Sequence, residues 1–266
     1  MTEKEYNQAD GIRRSVLWEM RKSPAHLKYK LEHAPEPTPA LIIGQALHCK
    51  LLTPENFDNE FVILPNVDKR TKEGREVLER VLAKGQGKTQ ITAKDMGTVI
   101  GMWESVMSNP TAVRLLDGMH ETPYFWADDL TAELCKCRTD CETDIGEMHL
   151  IVDVKTCQDA DDGSFMRDAL KYGYDVQAAM YRDGVKAVTN QDSLFVFIAV
   201  EKSAPYAVNI LQMDEGFMAY GQDRYRELLG KYHECKKRDQ WPGYTGFDGE
   251  IGEMTLPPWL KKEIEG

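Results

Sequence analysis

The sequence predicts an α/β protein in which helices flank a mixed β-sheet. Apolar residues recur at helical spacing over about the first 120 residues, and from about residue 121 their period changes to two. Helices followed by a strand meander, a helical segment and further strands are typical of a mixed sheet covered by helices. We therefore expect a single domain over 1–266, with a helical portion at about 1–120 and a sheet core at about 121–235.

The N-terminal portion is predicted to consist of helices separated by prolines. Pro24 interrupts the first helical stretch, SVLWEMRKSPAHLKYKLEH, and a second helix is predicted from about Pro39 to Leu52. A short strand, EFVILP, precedes a helix that begins at about Lys72. The next helical segment begins after Thr92, a favourable N-cap, and is broken at Pro110.

The C-terminal portion is predicted to supply the sheet. Three antiparallel strands are expected between 121 and 156, joined by tight turns at Asp128–Asp129 and Asp144–Gly146. Helical spacing returns over 162–189. Two apolar strands, SLFVFIAVEK and YAVNILQM, then precede a long amphipathic helix, DEGFMAYGQDRYRELLGKYHECKKRD.

Bulk composition limits the classes of function. Of the 266 residues, 42% are hydrophobic and 29% are charged, which is ordinary for a soluble globular protein. The sequence has no apolar run long enough to span a membrane and no apolar signal-peptide centre, so we expect a cytoplasmic protein. The net charge of −11 argues against a broadly basic protein that coats nucleic acid, but is compatible with a local basic groove.

Three of the six cysteines cluster, which raises the question of a metal site. Cys135, Cys137 and Cys141 have the spacing CxCxxxC and lack the paired CxxC units of zinc ribbons. Strand alternation places Cys135 and Cys137 on one face, where a free thiol packs as a small apolar side chain. We favour packing over metal binding.

The segment EMHLIVDVKT is an apolar strand that carries two charges. Alternation places Asp153 and Lys155 on one face, with Val152 and Val154 on the other. A hairpin can bring Asp140, on the preceding strand, to the same end of the sheet. Two carboxylates beside a lysine suit a hard divalent cation, which relieves their mutual repulsion. The alternative is a chance pattern on a surface hairpin.

Two helices add polar pairs at a spacing of four. Gly44 and His48 share one helical face, where the small residue permits close packing while the imidazole points inward. Gln177 and Tyr181 share a face of the helix after the charged strand. Taken alone, each pair is readily interpreted as structural.

In this order, the four motifs resemble the signature of the PD-(D/E)xK nuclease superfamily in its RecB-like branch, which reads GxxxH, D, DxK and QxxxY. The segments IIGQALHCKLLTPENFDNEFVILP, KRTKEGRE and TLPPWL look like the nuclease domain of the RecE (exonuclease VIII) family. The resemblance extends from roughly residue 12 to residue 262. It implies a restriction-endonuclease-like fold and a bacterial or phage-encoded protein.

The resemblance also implies roles for individual residues. It makes Lys155 catalytic, with Gln177 and Tyr181 positioning Lys155 or the substrate phosphate. Magnesium, or manganese as a substitute, is held by His48, Asp140, Asp153 and the carbonyl of Val154. Asp153 stands where many members of the superfamily have glutamate, and the motif allows either residue.

The activity implied is 5′→3′ digestion of linear double-stranded DNA, leaving 3′ single-stranded tails for recombination. Implied partners are a RecT-like annealing recombinase and further copies of the chain in a ring, with a tetramer favoured. Two alternatives remain: an endonuclease or single-strand nuclease on the same fold, and a non-catalytic module that binds DNA ends.

Basic residues are the candidates for phosphate contacts. The densest basic loop contains Arg70, Lys72 and Arg75, and we expect it to bind DNA. Other candidates are Arg13–Arg14, Arg21–Lys22 and Lys236–Arg238. Taken alone, any one of these basic groups, the loop included, is more readily interpreted as solvated surface.

Overall fold

A computed structural model describes residues 1, 3–33, 36–249 and 251–257. The closing segment TLPPWL therefore lies partly outside the described residues. The helices are α1 (Glu3–Gln8), α2 (Arg14–Leu17), α3 (Pro24–Glu32), α4 (Pro39–Leu52), α5 (Phe57–Glu60), α6 (Lys72–Lys84), α7 (Ala93–Met107), α8 (Pro110–Leu115), α9 (Asp162–Tyr172), α10 (Tyr174–Thr189) and α11 (Glu215–Arg238). The strands are β1 (Phe61–Leu64), β2 (Thr89–Thr92), β3 (Met119–Ala127), β4 (Leu134–Ile145), β5 (Met148–Cys157), β6 (Ser193–Glu201) and β7 (Val208–Gln212).

The main sheet has five strands in the order β3-β4-β5-β6-β7. The strands β3, β4 and β5 form an antiparallel meander, β6 runs parallel to β5, and β7 returns antiparallel to β6. A parallel neighbour requires a long crossover, which α9 and α10 supply. The short strands β1 and β2 pair in parallel as a separate sheet. The predicted mixed sheet flanked by helices is confirmed.

Two hydrophobic cores cover opposite faces of the main sheet, and β5 contributes to both. Ile151 lies in the core built with α10 and α11, whereas Val152 and Val154 lie in the core built with α4 and α7. This alternation is the one predicted for the charged strand. Asp153 thus projects from a strand whose backbone is held by apolar packing on both sides.

The helix boundaries follow local capping chemistry. The helix predicted from about Pro39 to Leu52 is confirmed, and Thr92 caps α7 by accepting a hydrogen bond from the backbone N–H of Asp95. The helical segment over 162–189 is divided at Gly173, whose φ of 72° is left-handed. A Cβ at Gly173 would lie 2.7 Å from a ring carbon of Trp18, so both backbone conformation and space require glycine there.

The strands β4 and β5 separate part of the way along their length. Their pairing runs from Ile145 opposite Met148 to Cys141 opposite Val152, and their register extends no further. Beyond this fork, Ile12 forms a parallel bridge with Cys135 on the side of β4 that β5 has left. The adjacent β3–β4 register skips Glu121, whose φ is 53°. Beyond the fork, the segment around Ile12 therefore takes the place of β5 beside β4.

All six cysteines are free and buried. Cys135 and Cys137 lie in the same core, as strand alternation predicted, and their thiols pack against apolar side chains. Burial raises the pKa of the Cys135 thiol to about 12, which disfavours the thiolate that a metal requires. In the described part of the chain, no helix is both long enough and apolar enough to cross a membrane.

Candidate metal and catalytic site

Asp140 binds the backbone of β5 at the fork. Its Oδ2 accepts a hydrogen bond of 2.9 Å from the N–H of Val154, two residues past the last β4–β5 pair. The carboxylate thus replaces the strand carbonyl that this N–H would meet in a continuous ladder. Asp140 is thereby tied to the strand that carries Asp153, as the predicted hairpin required.

His48 reaches the same point from α4. Its Nε2 lies 2.8 Å from the carbonyl oxygen of Val154, and its Nδ1 lies 3.4 Å from Oδ2 of Asp140. Both ring nitrogens therefore face oxygen acceptors. If Nε2 carries the hydrogen that binds the carbonyl, Nδ1 presents a lone pair toward a carboxylate, and a cation satisfies both.

Besides His48 and Asp140, Glu121 is a potential metal ligand, and sequence analysis missed it. One ligand atom from each of His48, Glu121 and Asp140 lies within 4.8 Å of the other two. Divalent cations hold oxygen ligands at about 2.0–2.6 Å, so this group is compact enough to surround one ion. The β3–β4 register skips both Glu121 and Asp140, which lie between the pairs His120–Cys141 and Thr122–Thr139. The Glu121 side chain also pairs with Arg138 at 2.6 Å.

Asp153, which is buried, forms an ion pair with the partly buried Lys155 beside this group. Asp153 is 1% exposed, and its Oδ1 also accepts a hydrogen bond from Nε2 of Gln177. Burial raises the pKa of the Asp153 carboxyl, and the Lys155 ammonium opposes that shift. The ammonium nitrogen also lies 5.1 Å from the ring centroid of Tyr174, a second contact that sequence analysis did not identify.

The two residues of the QxxxY motif have different surroundings. Gln177 contacts Asp153 directly, so its interaction is with the carboxylate of the DxK strand. Tyr181 packs edge-on against Phe195 in the core, and burial raises the pKa of its hydroxyl well above the usual range. The phenol therefore remains a hydrogen-bond donor at neutral pH.

The reason given for Gly44 is wrong in this structure. A Cβ added there would approach Thr156 Oγ1 at 3.8 Å, which is ordinary van der Waals contact. Close helix–strand packing therefore does not require glycine at this position. Gly44 lies on the helix that carries His48, at a position with room for an alanine.

The predicted DNA-binding residues lie on the loop before α6 and on its first turn. Arg70 is paired with Asp68, and Nζ of Lys72 lies 3.9 Å from Glu76. Arg75 donates to the carbonyl of Arg70. All three basic side chains are exposed. Local acidic partners thus offset part of the positive charge of this loop.

Comparisons with known proteins agree with the fold. Residues 14–248 match the family described as "PDDEXK-like domain of unknown function (DUF3799)". A crystal structure described as "Putative exonuclease" from Eubacterium rectale has a TM-score of 0.64 at 12% identity, covering 97% of this chain and 96% of that one. A structure of the protein SSO0001 covers 90% and 96% at 13% identity, but its TM-score of 0.30 carries no argument. No curated protein matches the sequence.

Proposed function

We propose that this chain, which belongs to the PDDEXK-like family DUF3799, is a metal-dependent nuclease that cleaves DNA phosphodiester bonds. The observation that carries the proposal is the convergence of His48, Asp140 and the Asp153–Lys155 pair at the fork between β4 and β5. These side chains come from one helix and two strands. A chance surface pattern would not bring them together on a buried strand.

The donor set fits a hard divalent cation. Carboxylate oxygens with one imidazole suit Mg²⁺ and accommodate Mn²⁺ at least as well. The residues that would hold the ion are His48, Glu121, Asp140, Asp153 and the carbonyl of Val154. When bound, such an ion polarises the scissile phosphate and lowers the pKa of a water molecule.

The protein's own groups supply positioning and charge. In this proposal, Lys155 orients the attacking water and offsets the negative charge that develops on the phosphate. Asp153 holds the ammonium in place, and Gln177 holds Asp153 from the other side. Because Asp153 is buried and the Lys155 side chain is largely so, the ammonium is held close to one position and needs little reorganisation during the reaction.

The finer proposal is 5′→3′ exonuclease activity on linear double-stranded DNA, leaving 3′ tails for recombination. It is supported by the resemblance of three sequence segments to the RecE family. The same resemblance supports a ring-like homo-oligomer that threads the duplex and a RecT-like annealing partner. Light scattering of the purified chain would test the ring, with a tetramer expected.

End-labelled linear duplex tests the activity directly. With Mg²⁺, early release of a 5′ label and retention of a 3′ label are expected, and EDTA should stop the reaction. Covalently closed circles should remain intact. Cutting of closed circles would instead identify an endonuclease, and binding of DNA ends without cleavage in Mg²⁺ or Mn²⁺ would identify a non-catalytic module.

A further inference from the structure

The segment before α2 forms backbone hydrogen bonds with the edge of β4 that β5 leaves unpaired beyond the fork. The N–H of Ile12 donates to the carbonyl of Leu134 at 2.8 Å, and the N–H of Lys136 donates to the carbonyl of Ile12 at 3.0 Å. Gly11 permits this approach with a φ of 125°, where a Cβ would lie 3.3 Å from atoms of Cys135 and Lys136. The segment thus occupies the position that β5 leaves at the fork.

Lys136 also binds the backbone of this N-terminal segment through its side chain. Its side chain is 4% exposed, and its Nζ donates to the carbonyls of Tyr6 and Ala9 at 2.8 and 2.5 Å. Burial lowers the pKa of Lys136, and the two carbonyls with the Tyr6 ring compensate part of that burial. Because these contacts fix the segment, Arg14, the first residue of α2, lies beside the candidate site.

Arg14 contacts the site through Gln177. Its guanidinium donates to Oε1 of Gln177 at 2.7 Å and to the carbonyl of Tyr172 at 3.0 Å. The other end of the same amide, Nε2, donates to Asp153. Because the guanidinium can only donate, it requires the oxygen of the amide to face it, and the NH₂ group must then face the carboxylate.

We propose that Arg14 is a positioning residue that fixes the orientation of the Gln177 amide and, through it, the Asp153–Lys155 pair. Without Arg14, a rotated amide would present its oxygen to the buried carboxylate, so that two acceptors would face each other. This inference rests on the proposed nuclease function for its kinetic consequence. The hydrogen-bond arrangement itself does not depend on that function.

Kinetics separate this role from a contact with DNA. Arg14→Ala should lower kcat about 10- to 100-fold, as substitutions of outer-shell partners typically do, and should leave KM within about twofold. Arg13→Ala is the matched control, since the Arg13 side chain donates to Asn7, and it should behave as wild type. A rise in KM with unchanged kcat would show that Arg14 contacts substrate and would overturn the proposal.

A double-mutant cycle tests the route through Gln177. If Arg14 acts through the amide, Arg14→Ala combined with Gln177→Ala should be no slower than Gln177→Ala alone. Multiplicative losses would overturn the proposal. Arg14→Met, which keeps the length of the apolar stem, replaces Arg14→Ala if thermal melting shows that the alanine variant is unfolded.

A measurement without substrate distinguishes failure of this inference from failure of the proposed function. In ¹H–¹⁵N spectra of the metal-free protein, the side-chain NH₂ signals of Gln177 should shift in Arg14→Ala and remain unchanged in Arg13→Ala. Unchanged Gln177 signals in Arg14→Ala would overturn the positioning role even in an active nuclease. If the wild-type protein cuts no DNA, the nuclease proposal fails, and the spectra still decide the role of Arg14.

Discussion

Asp140 and Asp153 lie at the same end of the sheet in different electrostatic surroundings. Asp140 is partly accessible and faces a backbone N–H and an imidazole, whereas Asp153 is buried against an ammonium and an amide. Asp140 is therefore the carboxylate more open to an ion from solvent. Asp153 is the one whose position depends on its neighbours. The site thus has a metal-facing half, with His48, Glu121 and Asp140, and a lysine-holding half, with Lys155 and Gln177. Asp153 belongs to both.

Lys155→Ala tests the lysine-holding half. Loss of a preorganised charge at the reacting phosphate is expected to lower kcat by about 10²–10³-fold. DNA affinity, measured by fluorescence anisotropy in Ca²⁺, should change little because one ammonium is a small part of a phosphate interface. Lys186→Ala, which removes an exposed lysine paired with Asp192, is the control. Full activity of Lys155→Ala would show that the site is wrongly assigned.

Glu121→Gln tests the metal-facing half. The amide keeps the size of the side chain but removes one negative charge from the ligand group, so Mn²⁺ affinity measured by calorimetry should weaken about tenfold. Arg138→Gln removes the ion-pair partner and keeps the carboxylate, so it should retain metal binding. Glu147→Gln, an exposed substitution in the β4–β5 turn, is a second control. Wild-type affinity in Glu121→Gln would remove Glu121 from the ligand set.

The site residues that sequence predicted are those on regular elements. Strand period placed Asp153 and Lys155 on one face, and helical period placed His48 on an inward face and Gln177 on the face of Tyr181. Glu121 was missed because it occupies an irregular position with positive φ, where alternation gives no information. Arg14 was interpreted as solvated surface because its partner is 163 residues away in sequence. Contacts of that kind depend on the tertiary fold alone.

Among the secondary-structure elements, α11 is joined to the β3–β4 turn by ion pairs with two buried carboxylates. Asp128 is 3% exposed, accepts hydrogen bonds from Thr131, and pairs with Arg226 of α11. Glu133, at the other end of the turn, pairs with His233 and Lys236. These contacts hold the last helix over the sheet and close one core.

Asp128→Asn tests the contribution of the Asp128–Arg226 ion pair to stability and its dependence on pH. Burial raises the pKa of Asp128, but hydrogen bonds from Thr131 and Arg226 outweigh it and leave the pKa below its usual value. A lowered folded pKa means that the stabilisation is present above the unfolded pKa, about 3.9, and is lost as pH falls through the folded pKa. Urea unfolding at neutral pH should show a loss of about 1–3 kcal/mol.

The same experiment at low pH should give a much smaller difference between the variant and wild type. Asp129→Asn is the matched control, since the neighbouring Asp129 is exposed and should have little effect at either pH. A loss of equal size at pH 2 and pH 7 would contradict the ionic origin of the contact.

The element boundaries show which signals a sequence carries well. The ends of α4 and the start of α7 were predicted correctly from caps and prolines. Both act through neighbouring residues, so the local sequence shows them. The division between α9 and α10 was not predicted, since glycine within a helical pattern is common. The ring of Trp18, distant in sequence, occupies the space of a side chain at Gly173 and makes that glycine a boundary.

At the scale of the whole molecule, the proposed substrate and the protein carry charge of the same sign. The chain has 44 acidic and 33 basic residues, so the mean field repels DNA. Binding then depends on local basic surface, and Arg70, Lys72 and Arg75 are exposed on one loop and the first turn of α6. Hydrogen bonds from Arg70 lower the pKa of Asp68, so this acid stays ionised beside the arginine.

The repulsive mean field and the local basic loop together predict how DNA binding depends on salt concentration. If Arg70 and Arg75 each neutralise one phosphate, replacing both with alanine should reduce the slope of log K against log salt by about 2 and weaken binding to all sequences alike. Arg80→Ala, farther along α6 and also exposed, is the control for loss of positive charge alone. Because the mean field is repulsive, removing two local cations should matter more here than on a basic protein. A slope that does not change on replacement would place the DNA on another surface of the molecule.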